Sequence, residues 1–273
     1  MREFRLLLPW FDEQTAVRLQ LGSAAPTRDS LAAAGANWRR ATEKLQKRKI
    51  DRFVTATEPL ADSLAESARR FIEETKLAEN PDFRGAELRM VRLDALLIFQ
   101  AKISTDAKRA RFLAAYDGSL ESLFSVCLPA TAQMDPVQVR LSGSVAAISS
   151  DNPNLRFGGF HLSGSALTAS FGYRPPWVQV TEYMGRLFVR NGYHRCWALL
   201  SEGVEHVIAI VTSARSMEEL GAAEPGYIAE QQLLAEAPPF LSDFEDPDLY
   251  APGTEEDGRR TITITATEAL ERA

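Results

Sequence analysis

The sequence predicts an α+β protein with a helical amino-terminal region, a mixed α/β module and a carboxyl-terminal extension. Apolar residues recur at helical spacing through roughly the first 80 residues, whereas from Val137 onward they alternate with polar residues, as in strands. The chain has 273 residues, of which 45% are hydrophobic and 25% charged, enough for one large core or two modest ones. We place the three regions at 1–84, 85–212 and 213–273.

Two helices are predicted in the first region. The apolar stripe of the first helix consists of Leu31, Trp38, Ala41 and Leu45. The stripe of the second consists of Leu60, Leu64, Ala68, Phe71 and Ile72, with Pro59 in the first turn. The dipeptide Asn80-Pro81 breaks the helical pattern and predicts a boundary.

The central region begins with a segment, 88–100, whose apolar run fits a buried helix or a strand equally well. Helices are then predicted over 108–116 and 119–126, followed by strands over 137–141 and 166–171. Between those strands, Gly158-Gly159 indicates a bulge or a tight turn.

The most informative stretch is 178–211. Two strands, 178–180 and 186–189, are predicted around a turn at Met184-Gly185. A helix over 194–200 follows, ended by Gly203, and 207–211 is apolar throughout, as a buried strand would be. Beyond it we expect a helix over 227–235, an extended segment after Pro238 and a terminal strand over 261–265.

The turn at 191–195 is typical of an anion site. A helix amino terminus leaves backbone N–H groups without partners and carries a partial positive charge. Gly192 lets the chain turn sharply, while Arg195 can offer a charged fork and His194 a second donor. The residues therefore predict a phosphate site made by Gly192, the Tyr193 backbone, His194 and Arg195. A structural alternative is that His194 and Arg195 only cap and solvate the helix, and that Tyr193 and Trp197 pack in the core instead of stacking on a base.

This stretch resembles the ParB/sulfiredoxin-like superfamily. The residues that carry the resemblance are Gly185-Arg186-Leu187-Phe188-Val189, Asn191-Gly192-Tyr193-His194-Arg195, Ala198-Leu199, Gly203, Val207 and Ile210-Val211. Members of that superfamily bind nucleotide phosphates with a Gly-x-His-Arg or Gly-Glu-Arg-Arg turn between a strand and a helix. The resemblance implies a nucleoside triphosphate as ligand, with Mg²⁺, and further contributions from Gln100 and Arg174.

The chain departs from the superfamily at Tyr193. Sulfiredoxins carry their catalytic cysteine at this position and ParB proteins a glutamate, and Cys196 lies inside the predicted helix. A helix-turn-helix domain, which follows the module in ParB proteins, is not evident after Val211. Catalysis is thus left open. If there is chemistry, we expect phosphoryl transfer or phosphodiester hydrolysis with a divalent ion, for which Glu182 and Asp94 are the carboxylates to consider.

Charge and cysteine content narrow the function classes. The net charge of −6 argues against a protein that coats nucleic acid, although a basic cluster at 39–52 and an acidic one at 243–257 stand out. Two alternatives to nucleotide binding stay open: a non-catalytic interaction component of a bacterial assembly, and nucleic-acid contact through the basic cluster. Two isolated cysteines and no long apolar run predict a cytoplasmic protein without a disulfide framework, a structural zinc site or a membrane span.

Overall fold

A computed structural model describes residues 2–22, 25–49, 56–105, 113–130, 136–152, 154–164, 166–173, 176–223, 226–255 and 260–265. The chain forms two compact units. Unit 1 comprises Met1–Pro129 and Trp177–Glu255, and unit 2 comprises Ala130–Pro176 and Glu256–Ala273. The boundaries placed at 84/85 and 212/213 from the sequence both fall inside unit 1.

The chain is a mixed α+β protein. Its helices are α1 (Glu13–Leu21), α2 (Arg28–Gln46), α3 (Ala65–Thr75), α4 (Leu120–Cys127), α5 (Tyr193–Ser201), α6 (Met217–Leu220) and α7 (Glu230–Leu233). Its strands are β1 (Arg2–Leu7), β2 (Thr57–Pro59), β3 (Glu87–Arg92), β4 (Lys102–Ser104), β5 (Gln138–Ser142), β6 (Val145–Ser150), β7 (Leu155–Ser163), β8 (Ala166–Tyr173), β9 (Gln179–Tyr183), β10 (Arg186–Asn191), β11 (His206–Ser213), β12 (Tyr250–Glu255) and β13 (Arg260–Thr265). Within the described residues, no helix has the length and apolar character needed to cross a membrane.

Helices α2 and α3 correspond to the two amino-terminal helices that the sequence predicts. Helix α2 begins at a capping box in which Thr27 and Ser30 satisfy each other's backbone N–H groups. Its predicted stripe packs on the core except for Leu31, which is exposed. Pro59 was wrongly assigned to the first turn of α3, because it lies in β2, where it pairs with Arg89 of β3.

A five-stranded sheet forms the centre of unit 1, in the order β10-β9-β11-β3-β2. Strand β11 is parallel to β9 and antiparallel to β3, and Val207 to Ile210 are fully buried, as predicted for this run. The ambiguous segment 88–100 is β3, a 3-10 turn at Leu93–Ala95 and then extended chain. Pairing decides this conformation, since the Leu97 N–H donates to Leu187 O at 2.8 Å and the Val189 N–H donates to Leu97 O at 2.9 Å.

A second sheet of unit 1 adds a strand, β1, to the amino-terminal region that was predicted to be mostly helical. Strand β1 lies in its middle, between β12 and β4, and is antiparallel to both. Leu6, Leu7 and Leu8 are buried there. Both partner strands are distant in the chain, so no local pattern around 2–7 could have indicated the pairing.

In the described residues of unit 2, the secondary structure is β-sheet. Strands β13, β6 and β5 form one sheet, and β7 and β8 form a two-stranded ribbon. The ladder of the ribbon shifts register between Phe157 and Gly159, which confirms the predicted bulge, and β13 confirms the predicted terminal strand. Of the remaining predictions, the helix at 227–235 shortens to α7, and the helix at 108–116 lies mostly outside the described residues.

Candidate functional site at the amino end of α5

The chain enters the site through a hairpin and leaves it through a helix. Strands β9 and β10 are joined at Met184 (φ 51°) and Gly185 (φ 72°), the paired left-handed conformation of a tight hairpin. After β10, Gly192 adopts φ 94° and its carbonyl accepts the N–H groups of Arg195 and Cys196, both at 2.9 Å. The predicted order of strand, glycine turn, helix and buried strand is confirmed.

Gly192 is required here for two reasons. Its positive φ disfavours any residue with a Cβ atom. A Cβ at this position would also lie 3.1 Å from both Cα and Cγ2 of Val178, which is held between Cys127 O and the Ile210 N–H. Backbone packing against β9 therefore sets the position at which α5 begins.

The amino end of α5 has no neutralising side chain. Neither a capping side chain nor an acidic residue is present in its first turn. Helices α1, α2 and α4, by contrast, are capped by Asp12, Thr27 and Ser119 and carry an acid in the first turn. The half-buried imidazole of His194 occupies the first turn of α5 instead. The partial positive charge of this helix end is thus not offset by a capping side chain or an acid in its own first turn.

The Tyr193 side chain belongs to the core. Its hydroxyl accepts the Phe99 N–H at 3.3 Å, and the rings of Tyr193 and Phe99 meet edge to face at 5.7 Å. Burial holds the pKa of this hydroxyl well above its usual range. The same contact brings half-buried Gln100, the next residue along the chain, close to the start of α5. Arg174, the other predicted contributor, lies outside the described residues.

The side chain of Arg195 points into the protein. It is 4% exposed, and Nη1 donates to Cys127 O at 3.0 Å. That carbonyl also accepts the Val178 N–H at 2.9 Å, so Arg195 joins the end of α4 to the start of β9. Burial lowers the pKa of the guanidinium. In this structure the guanidinium packs inside the protein, and the predicted contact of Arg195 with a ligand stays a prediction.

Two thiols lie near Arg195, and both are buried. Burial raises the pKa of Cys127 to about 11 and that of Cys196 still further. Both are thus held as neutral thiols near pH 7. Cys127 is the small core residue that the sequence suggests, and Cys196 lacks the exposure and the thiolate character of a reactive cysteine.

Trp197 is also a core residue, in agreement with the packing interpretation. It is fully buried, its Nε1 donates to the Glu245 carboxylate, and the Arg5 guanidinium lies 5.1 Å from the ring centre. The body of α5 is therefore tied to the acidic segment after Leu241, while its first turn carries the candidate site.

The basic cluster of α2 is paired with acidic residues of the same chain. Lys44 Nζ lies 2.6 Å from Asp246 and 2.9 Å from Asp248, and Arg40 lies 3.6 Å from Asp248. Arg48 holds both carboxylate oxygens of buried Asp243. The opposite charges of the clusters at 39–52 and 243–257 could have predicted this pairing from the sequence. Nucleic-acid contact through Arg40, Lys44 or Arg48 would have to break these pairs.

The carboxylates considered for a metal ion do not form a cluster. Asp94 is held by Arg92, whose Nε lies 3.1 Å from Oδ1, and Glu182 is an exposed residue of β9. Across the described residues, no group of three or more histidine, cysteine, aspartate or glutamate side chains is arranged to hold a metal. Asp94 and Glu182 are therefore not part of a three-ligand group in the described part of the chain.

Comparisons with models of known families, with curated proteins and with solved structures found no match. The resemblance to the ParB/sulfiredoxin-like superfamily therefore stays a prediction that rests on the residues from Gly185 to Val211.

Proposed function

We propose that unit 1 binds an anionic group, in the first place a nucleotide phosphate, at the amino end of α5. The observation that carries the proposal is the first turn of this helix, which has a left-handed glycine, no capping side chain and no acid. Such an end presents backbone N–H groups and a partial positive charge in one direction, which is the chemistry that a phosphate requires.

The residues divide into two roles in this proposal. The backbone at Tyr193 and the backbone and imidazole of His194 meet the phosphate, with Gln100 beside them. Arg195 and Tyr193 hold the turn in place from within, through Cys127 O and the Phe99 N–H. In this proposal, Tyr193, His194 and Gln100 keep their predicted places at the phosphate, whereas Arg195 holds the turn in position and does not contact the ligand.

The ligand class follows from the resemblance. Proteins of the ParB/sulfiredoxin-like superfamily use this turn for nucleotide phosphates, so ATP, CTP, GTP and UTP are the first ligands to test. A bound nucleotide would bring Mg²⁺ on its own phosphates, which needs fewer protein carboxylates than a site held by protein alone. The proposal is limited to binding and includes no hydrolytic step.

An interaction protein without a ligand is the second candidate. The observation that favours it is the apolar surface of unit 2, where several large hydrophobic side chains are exposed. A protein can keep a phosphate-binding fold as a scaffold and act through such a surface.

The test is isothermal titration calorimetry with the four triphosphates and with pyrophosphate, each with and without Mg²⁺, together with thermal shift. A ligand at about 100 times its dissociation constant stabilises the fold by roughly 2.7 kcal/mol. His194→Asp places a negative charge in the first turn of α5 and should weaken binding at least tenfold. His161→Asp adds the same charge in unit 2 and should leave affinity unchanged.

Two results would overturn the proposal. One is the absence of heat and of any thermal shift with every triphosphate and with pyrophosphate. The other is equal affinity of the wild type and His194→Asp, which would place the ligand elsewhere. Arg195→Ala is not a suitable probe, because removal of this buried arginine is expected to change the stability of the fold.

A further inference from the structure

The β7-β8 ribbon of unit 2 separates apolar from polar side chains. Directly paired residues of an antiparallel ladder share a face, and here Phe157 pairs with Phe171 and Leu162 with Leu167. Because of the bulge at Gly158, Phe157 before it and Phe160 and Leu162 after it lie on the same face of the ribbon. We call this face the ribbon face, and it carries Phe157, Phe160, Leu162, Leu167, Ala169 and Phe171. The three phenylalanine rings form a cluster, with centroids 5.0 Å apart for Phe157 and Phe160 and 5.6 Å apart for Phe157 and Phe171.

The opposite face of the ribbon is polar. His161 Nε2 lies 3.1 Å from Ser170 Oγ, and Thr168 lies beside them in the ladder. The ribbon therefore has the alternation expected of a strand pair that covers a core on one side and faces water on the other. The side that should cover a core is the ribbon face.

The ribbon face becomes more exposed toward the tip of the hairpin. Leu155, at its base, is 1% exposed, whereas Phe160, Leu167 and Leu162 are 53%, 66% and 76% exposed. An isolated pair of strands is at best marginally stable in water and needs an apolar cover. Leu155 at the base of the ribbon is covered by other residues, whereas the apolar side chains of the outer half are exposed.

The exposed apolar area of the ribbon face is about half of the area that one partner buries in a standard protein interface. A fully exposed aromatic side chain presents roughly 150–250 Å², so the exposed fractions on the ribbon face amount to about 400 Å². A stable complex buries about 800 Å² on each partner, and apolar patches of about 300–600 Å² on a monomer already mark interaction sites.

The scarcity of charged side chains near the ribbon face indicates which kind of partner covers it. The described residues of unit 2 include four charged side chains, Arg140, Asp151, Arg156 and Arg260, and none of them is on the ribbon face. A membrane-surface element would carry several lysines or arginines and often tryptophan, and the ribbon has Arg156 alone. Interfaces between permanently associated copies, by contrast, are apolar and depleted in charge.

We propose that the ribbon face is an interface with a second copy of this chain. In the described part of unit 1, the large apolar side chains that are exposed are Leu19, Leu31, Ile72 and Met184, which lie on four different elements or turns. Among the described residues, the ribbon face carries the largest set of exposed large apolar side chains on one pair of strands, so the best apolar match for one ribbon face is a second ribbon face. The two faces stack across a two-fold axis, so that the same residues contribute from both copies.

The first test is sedimentation equilibrium of the full chain, whose monomer mass is 30.2 kDa. We expect a dimer at tens of micromolar. Leu162→Asp combined with Leu167→Asp should raise the dissociation constant at least about a hundredfold, because two charges would be buried at the interface. Thr168→Asp puts the same charge in the same strand on the polar face and should change it less than about threefold.

Cross-linking provides a test that adds no charge. Stacked sheets lie about 10 Å apart, so Leu162→Cys should give a covalent dimer with a short bis-maleimide and Thr168→Cys should not. The natural cysteines, Cys127 and Cys196, are buried and should not react. This variant decides the question if the double aspartate variant does not fold.

Three outcomes would overturn the proposal. A wild type that is monomeric at tens of micromolar has no such interface, and its binding to neutral phosphatidylcholine vesicles would identify a lipid surface as the occupant. A dimer that persists unchanged in the double aspartate variant uses another surface. Equal cross-linking of Leu162→Cys and Thr168→Cys would show that the contact is not specific to the ribbon face.

Discussion

Unit 1 and unit 2 differ in where they place apolar and charged side chains. Unit 1 buries its large apolar residues between two sheets and its helices, and it pairs the cations of α2 with acidic residues near β12. Among its described residues, unit 2 has four charged side chains and exposes the apolar face of its ribbon. The difference indicates that unit 1 is stabilised mainly by contacts within the chain, whereas the apolar surface of unit 2 is suited to contacts outside it.

The largest difference in stability loss is expected between a buried phenylalanine of unit 1 and an exposed one of unit 2. Phe188 is fully buried in β10, so Phe188→Ala should lower the free energy of unfolding by about 3–5 kcal/mol. Phe160 is half exposed on the ribbon, so Phe160→Ala should lower the stability of unit 1 by less than about 0.5 kcal/mol. Urea unfolding followed by tryptophan fluorescence measures both, since Trp10, Trp38, Trp177 and Trp197 all lie in unit 1. Equal losses in the two variants would contradict the contrast between the units.

Arg195 tests whether the buried cation of α5 is structural. Arg195→Ala leaves Cys127 O without a charged donor and opens space in the core, and a loss of about 2–4 kcal/mol is expected. Arg215 is exposed, and Arg215→Ala should cost less than about 0.5 kcal/mol. The measurement is the urea midpoint of each variant. An Arg195→Ala protein with unchanged stability but weaker nucleotide binding would show that Arg195 contacts the ligand.

Arg48 tests the pairing between the two charge clusters. Its partner Asp243 is buried, and burial raises the pKa of that carboxyl despite the lowering effect of Arg48. Arg48→Ala leaves the carboxylate unpaired and should cost about 2 kcal/mol at pH 7. The matched change Arg69→Ala, in an exposed pair with Glu66 and Glu73, should cost less than about 1 kcal/mol.

The pH dependence of the Arg48→Ala cost has a definite sign. The variant removes the group that lowers the Asp243 pKa, so that pKa rises further above its value in the unfolded chain. Protonation then relieves the unpaired charge, and the cost should shrink as the pH falls from 7 toward 4. Urea unfolding at both pH values checks this, and a cost that is the same at both would assign the effect to lost packing of the arginine stem.

The smallest difference in stability loss between a variant and its control is expected for Gly192 and Gly203. Gly192→Ala combines an unfavourable φ with a Cβ that would lie 3.1 Å from Val178, and it should cost about 2 kcal/mol. Gly203→Ala has a similar φ of 78° with open space around the new methyl group, and it should cost about 1 kcal/mol. The difference between their urea midpoints measures the close approach of α5 to β9, and equal midpoints would show that Val178 moves aside.

Much of the local structure could be predicted from the sequence. The stripe of α2, the Met184-Gly185 turn, the start of α5 after Gly192 and the apolar run of β11 all depend on residues that are close together in the chain. Strand β1 and the segment 88–100 could not be assigned, because their conformation depends on partners such as β12 and Phe188 that are far away in sequence. The division into two units was missed for a similar reason, since β13 pairs with β6 across more than 100 residues.

The candidate site shows the same division of information. The sequence by itself determined that a glycine turn, a histidine and an arginine stand at the start of a helix, because those features are local. Only the tertiary structure decided that Arg195 turns inward to Cys127 O and that Tyr193 packs on Phe99. It also decided that Lys44 of α2 meets Asp246 and Asp248, and that Arg48, just after α2, meets Asp243. The physical reason is that a side chain points toward the environment that best satisfies its charge and apolar surface, and segments distant in the chain supply that environment.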